Sequence, residues 1–373
     1  MPRTPRKGSR PKRLLITGIA GGLATQVASA VPPDWEVIGI GRRPPQETLK
    51  RDIIFKQLDI TKKTLEDLFR HEHFDAVLHL AVANDQHLPM KIRHTVNVIA
   101  TMRLLDCCER HKIKEVILLS TAEVYGADPT NPIYLPEDSP LKAIQRFTDL
   151  GDKVEFDTYC RSWMYHVKDI KTTLLRPCYI VGPHVQNFLT TYLRYGIVPI
   201  PMGYDPMIQV IHERDMVEAL LRVLAKPKRG VYNVTGPGEV PLSVAIREAG
   251  GIAVPVVYAL ASPLMKLGWW VGISPFPAPQ FDYLMYPCVI DGRKFQEDFQ
   301  FKPEYNLHET LRTLRRAAVQ MDRLDSMQNR EEEEPEEEEE LEEAEEDRPH
   351  HSSDSGLKGI PRGRRQNLAR PNQ

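Results

Sequence analysis

Cysteine is scarce in this chain: five occur among 373 residues, at positions 107, 108, 160, 178 and 288. No two have the C-x-x-C spacing of a zinc or redox motif, and the adjacent Cys107 and Cys108 are poor partners for a bridge. An odd count without framework spacing excludes a disulfide scaffold and fits free thiols in a reducing cytoplasm. No secretory leader is expected either. Met1–Arg13 carries six Lys/Arg and no acid, without the apolar core of a signal peptide. Long apolar runs are absent too. The nearest, Val254–Ile273, is broken by Pro255, Pro263, Lys266 and two glycines. We therefore expect no transmembrane segment, and read this stretch as a buried or groove-lining helix whose Trp269–Trp270 pair leaves room for contact with a membrane surface. No repeat at solenoid or propeller period is found.

Net charge is small, −2, but unevenly spread. Glu331–Asp347 holds fourteen acids and no base, whereas Arg348–Gln373 holds six bases and one acid. Residues 14–330 are left nearly neutral, which argues against nucleic-acid binding by the core. From about 326 the chain is low in complexity and highly charged, so it is expected to be a disordered tail. His71-Glu72-His73 suggests a metal at first sight, but a metal site needs three or four converging ligands, and a solvated helix end is the plainer reading.

What is present is alternation. Short apolar runs at Arg13–Thr17, Glu36–Ile40, Ile53–Leu58, Ala76–Leu80, Glu115–Leu119 and Thr172–Leu175 predict strands. Between them, Gly21–Ala30, Thr61–His71, Pro89–His111 and Val154–Lys168 predict helices. Later, Val210–Ile211 and Val231–Val234 read as strands around the helix Glu213–Leu224, and Val240–His308 as short helices between Pro-rich turns. Strand–helix alternation predicts an α/β fold, a Rossmann-type doubly wound parallel sheet. The expected divisions are a basic N-terminus at 1–12, a dinucleotide-binding domain at 13–182, a smaller substrate lobe at 183–325 with elements returning to the core, and the tail at 326–373.

Thr17-Gly18-Ile19-Ala20-Gly21-Gly22-Leu23-Ala24 follows the first strand and opens the first helix. That context makes a glycine-rich turn informative: Gly18 permits the tight turn, and Gly21 lets the backbone approach a pyrophosphate resting on helical N–H groups. Further motifs follow in order: Asp59-Ile60, His79-Leu80-Ala81-Val82, Asn97-Val98-Ile99-Ala100-Thr101, Ser120–Gly126, Arg176–Pro183 and Val210–Asp215. On these residues the chain resembles the extended short-chain dehydrogenase/reductase family, its NAD-dependent epimerase/dehydratase branch, over residues 13–320. In the Val210–Asp215 element, Glu213-Arg214 replaces the usual Val-Asp.

The resemblance implies a dinucleotide contacted by Gly18, Ala20, Gly21, Gly22, Leu23, Asp59, Ile60, Leu80, Ala81, Val82, Asn97, Tyr159 and Pro177. Where NAD enzymes carry an acid after the second strand, this chain has Gly41 followed by Arg42 and Arg43, which favours NADP over NAD through contact with a 2′-phosphate. Arg42 and Arg43 also fit a merely solvated loop. Family chemistry uses a Tyr-x-x-x-Lys pair and a Ser/Thr. Tyr159 fits the tyrosine and Thr121 the Ser/Thr, but counting on from Tyr159 puts Trp163 in the lysine's place. The expectation is an atypical site with a tyrosine pKa near 10 and slow epimerisation; Tyr159 as a core residue is the alternative. Three functions stay open: an oxidoreductase or epimerase acting on a nucleotide sugar or similar small molecule, a steroid- or lipid-alcohol dehydrogenase, and a non-catalytic dinucleotide sensor or scaffold. The resemblance also implies a homodimer through the helices near Pro89–His111 and Val154–Lys168.

Overall fold

The computed structural model describes residues 10–45, 52–85, 88–271 and 283–315. The charged stretch after 326, with the tail expected there, lies outside the described residues. In chain order the elements are β1 (Lys12–Thr17), α1 (Gly22–Ala30), β2 (Trp35–Gly41), β3 (Ile54–Gln57), α2 (Thr64–His71), β4 (Ala76–His79), α3 (Met90–His94), α4 (Ala100–Arg110), β5 (Glu115–Leu119), α5 (Ala143–Arg146), α6 (Gly151–His166) and β6 (Lys171–Pro177). There follow β7 (Tyr179–Val181), α7 (Phe188–Arg194), β8 (Ile197–Pro201), β9 (Met207–His212), α8 (Glu213–Ala225), β10 (Gly230–Val234), β11 (Glu239–Pro241), α9 (Leu242–Ala249), β12 (Ile252–Val256), α10 (Tyr258–Trp270) and α11 (Arg293–Phe299).

The main sheet has seven strands in the order β10-β6-β5-β4-β1-β2-β3, every pairing parallel. Successive strand residues point to opposite faces. Leu14 and Ile16 enter one core with α1, α8 and α11, while Leu15 enters the other with α2, α4 and α6. That is why β1 reads as a continuous apolar run rather than an alternating one. The strand order reverses between β1 and β4, and such a switch opens a crevice at the carboxyl ends of the strands.

The helix expected over Pro89–His111 is interrupted. A π-helical turn, Thr95–Ile99, separates α3 from α4, and it carries the buried Asn97. After β6 the chain leaves the sheet for β7–β9 and returns as α8 and β10. The smaller lobe holds a three-stranded sheet, β11-β9-β7, and a two-stranded one, β12-β8. Its core is shared by α7, α9 and one side of α10. The expected burial of Val254–Ile273 is corrected here. Part of it is β12, and α10 leaves Leu260, Leu264 and Leu267 exposed.

Candidate functional site

At the end of β1 the chain turns at Gly18 with φ +72°, and a Cβ there would lie 2.7 Å from the Ala81 Cα. Both the conformation and the space demand glycine. The Gly21 N–H donates to the Gly18 carbonyl at 2.9 Å. α1 then begins with no side-chain cap and no acid in its first turn. Its leading N–H groups and the positive end of its dipole therefore suit an anion.

A buried relay sets the neighbouring segment. The Thr101 hydroxyl donates to the Asn97 carbonyl at 2.8 Å, so it must accept from His79 Nε2 at 2.8 Å. His79 Nδ1 then accepts from the Thr17 hydroxyl at 2.7 Å, whose oxygen receives the Leu80 and Ala81 N–H groups at 3.2 and 3.1 Å. One ring proton satisfies every partner, and burial holds the His79 pKa down at about 4. The Asn97 amide fixes the other end of the segment. It accepts from the Ala83 N–H at 2.7 Å and donates to the Ala83 carbonyl at 3.2 Å and to Asp152 at 2.5 Å.

Beside this segment lies a cavity of about 420 Å³. Leu80, Ala81, Val82, Asn97, Thr121 and Pro177, all singled out in the sequence, line it together. So do Glu123, Lys153 and Tyr179, which sequence reasoning missed. Lys153 Nζ stands 2.5 Å from Glu123 Oε2, and the Thr121 hydroxyl donates to the same oxygen at 3.4 Å. The Tyr179 hydroxyl oxygen is buried, with Glu123 as its charged neighbour. Burial first, then the Glu123 charge, pushes its pKa well up, so it stays a neutral phenol. Ser120 is engaged elsewhere. It donates at 2.7 Å to Asp157, which takes the Arg176 guanidinium through bonds of 2.8 and 2.6 Å. Arg176 also donates to the Tyr125 hydroxyl at 2.7 Å. Burial opposes the Arg176 charge, yet the Asp157 bonds outweigh it and raise its pKa.

Tyr159 does not reach the cavity. Lys153, Phe156, Asp157 and Cys160 share the inner side of α6, and six residues on from Lys153 is about 120° away around the helix. Tyr159 packs against the second core, and burial raises its pKa rather than leaving it near 10. Trp163 is buried in that core as well. Lys153 is the lysine of α6 that faces the cavity, and one turn before it stands Asp149, within the short turn Thr148–Leu150.

The glycine turn and the cavity wall meet at His184. A Cβ on Gly22 would lie 2.0 Å from the His184 carbonyl oxygen. His184 is clasped by the buried Glu213: its N–H donates to Oε2 at 3.1 Å, and Nδ1 lies 2.6 Å from Oε1. Glu213 in turn fills the space a Gly182 side chain would need. The next residues, Val185, Gln186 and Asn187, line the cavity.

At the far side of the turn, Arg42 and Arg43 are exposed after β2. Burial works to raise the Asp59 pKa, but bonds from the Thr61 N–H and hydroxyl, at 2.9 and 2.7 Å, and the Arg42 charge bring it below its ordinary value. The Ile60 side chain is in the second core, so a ligand would meet this residue through its backbone. Glu72 of the His71–His73 cluster is taken by Arg13 and Lys56.

A model of the NAD dependent epimerase/dehydratase family matches residues 14–235. An uncharacterized protein of Mycobacterium bovis is 30% identical over 314 residues, covering 80% of this chain and 82% of its own length. A UDP-glucose 4-epimerase of Cyamopsis tetragonoloba is 27% identical over 248 residues, 57% of this chain and 69% of its own. Among solved structures, the Thermus thermophilus UDP-glucose 4-epimerase in complex with NAD superimposes with a TM-score of 0.65 at 17% identity, covering 82% of this chain and 99% of that one. The Bacillus anthracis dTDP-glucose 4,6-dehydratase in complex with NAD gives 0.64 at 16% identity, covering 83% and 97%. These two share the fold.

Proposed function

Since the chain belongs to the NAD dependent epimerase/dehydratase family, we propose that it binds a nicotinamide dinucleotide and acts on a hydroxyl or ketone of a nucleotide sugar or related small molecule. The observation that carries this reading is the Lys153–Glu123 pair inside a cavity at the switch point, beside a glycine turn fit for an anion. The uncapped start of α1 and the close approach at Gly18 suit the dinucleotide. Its pyrophosphate would rest on Ala20, Gly21, Gly22 and Leu23, its adenosine near Arg42, Arg43, Asp59 and Ile60, and its other end near Leu80–Val82, Asn97 and Pro177. When bound, the nicotinamide supplies hydride exchange. We assign Glu123 to take and return the proton of the substrate hydroxyl, Thr121 to orient that hydroxyl, and Lys153 to balance the charge. Tyr179 serves as a neutral donor. NADP stands ahead of NAD, because Gly41 offers no carboxylate against a 2′-phosphate and two guanidiniums follow. Exposed Met90, Ile92 and Tyr165 on α3 and α6 support a homodimer through these helices.

The test is to titrate the protein with NADPH and NADH, then screen UDP- and dTDP-sugars for turnover. Glu123→Gln should lower turnover by about 100-fold or more with cofactor affinity kept. Undiminished turnover would overturn the assignment. Asp149 in the tyrosine's place favours a second reading, a sensor or scaffold that binds the dinucleotide without turnover. Tight binding with no turnover across the screen would select it. The apolar wall of Leu80, Val82, Phe156 and Phe188 keeps a steroid or lipid alcohol as the alternative substrate.

A further inference from the structure

α10 is apolar on two sides. Tyr258, Ala261 and Met265 pack on the core of the smaller lobe. On the outer side Leu260, Leu264, Leu267 and Val271 follow one another at helical spacing, and they are 68, 68, 56 and 49% exposed. A helix apolar all round is normally covered all round. The chain enters this helix through Val257, also exposed, from the edge strand β12. Ile252 of β12 and Ile197 of β8 face each other in register, and both are exposed. Apolar surface gathered in this way marks a contact site rather than ordinary scatter.

Charge decides what covers it. Residues 249–281 contain no Asp or Glu and a single cation, Lys266. At the turn leading into β12, Arg247 and Arg315 are exposed, and the Arg315 side chain lies against Gly250. The one acid at this border, Glu248, is taken by Arg312 and His308, so apolar side chains beside the Arg247 and Arg315 guanidiniums match an anionic bilayer surface: guanidiniums meet headgroup phosphates while leucines enter the acyl boundary. The helix cannot go further. At 13 residues it is about 20 Å long against a hydrocarbon core of about 30 Å, and no described helix is long and apolar enough to cross.

We propose that α10, together with the β8–β12 edge, is a lipid-docking surface that lays the smaller lobe on an anionic membrane without spanning it. The test sediments the full chain with vesicles of phosphatidylcholine alone and of phosphatidylcholine mixed with phosphatidylglycerol. Native protein is expected to sediment with the mixed vesicles. The triple variant L260E/L264E/L267E should lose at least roughly tenfold in partitioning, with melting temperature and dinucleotide affinity unchanged. R247Q/R315Q should lose the preference for the anionic mixture. If the triple variant melts early, Leu264→Glu alone gives the same readout. Native protein that stays in the supernatant with both vesicles overturns the proposal. So does a stripe variant that binds as the native chain does, since the basic terminal segments would then hold the membrane. A native dimer that the stripe variant dissociates, without vesicle binding, overturns it in favour of a second copy.

Discussion

His79 keeps a single ring proton because Thr17 and Thr101 leave room for one, and that choice makes stability depend on pH. The folded imidazole titrates at about 4 and the unfolded one near 6.5. Above 6.5 both states are neutral and the fold has its full stability. As pH falls from 6.5 towards 4, the unfolded chain takes up a proton that the fold refuses, and roughly 3 kcal/mol is lost. His212, also held down at about 4 by burial, adds in the same direction. Urea unfolding at successive pH values should show this loss, and His79→Asn should flatten part of it. Trp163 offers a second test at this scale. It is buried in an apolar core, so Trp163→Lys should restore no activity and should destabilise the fold by about 3–5 kcal/mol, read as a lower urea midpoint. A gain in turnover from that variant would return the lysine's place to position 163.

Between elements, the buried Arg176–Asp157 pair joins β6 to α6, with Ser120 at the end of β5 completing it. Asp157→Ala strands a guanidinium that has no access to water and should cost about 3–5 kcal/mol in equilibrium unfolding, whereas Ser120→Ala should cost only about 1–2. The end of β2 carries the cofactor prediction. A Cβ on Gly41 would meet its nearest atom at 3.4 Å, so an aspartate fits there. The combined variant G41D/R42A/R43A should reverse a native preference for NADPH, a change of about 1.5–3 kcal/mol in binding. Equal native affinities for the two cofactors would end that idea. The parallel sheet was legible in the sequence because strands buried on both faces leave uninterrupted apolar runs. The glycine turn was legible because it follows β1 directly. The pair proposed for catalysis, Glu123 and Lys153, was not. Tyr159 and Trp163 have the right spacing for a motif, but which side of α6 faces the cavity is fixed by packing, and Asp157 with Arg176 turns Lys153 inward instead. The short strands β7, β8, β11 and β12 also escaped, since tertiary pairing rather than periodicity makes them.

Taken as one molecule, the chain is interleaved. α8 and β10 come after three strands of the smaller lobe, yet Met216, Leu220 and Val223 of α8 share a core with Ala24, Val27 and Ala28 of α1, and β10 closes the main sheet beside β6. A fragment ending at residue 182 would lack both. It should show little cooperative unfolding by circular dichroism and bind no dinucleotide, while a chain ending at 315 should unfold cooperatively and bind the dinucleotide. A stable, cofactor-binding fragment 1–182 would show the halves to be separable. The His184 carbonyl bears on how such a molecule can change over generations. It occupies the place of a side chain at position 22, and Glu213 occupies the place of one at position 182. Positions 22 and 182 cannot gain a side chain alone: one at 22 requires the wall at 184 to retreat, and one at 182 requires the acid at 213 to go. Divergent descendants should therefore swap this quartet as a block, and a shape altered to admit a different substrate would carry its mark into the cofactor's cradle.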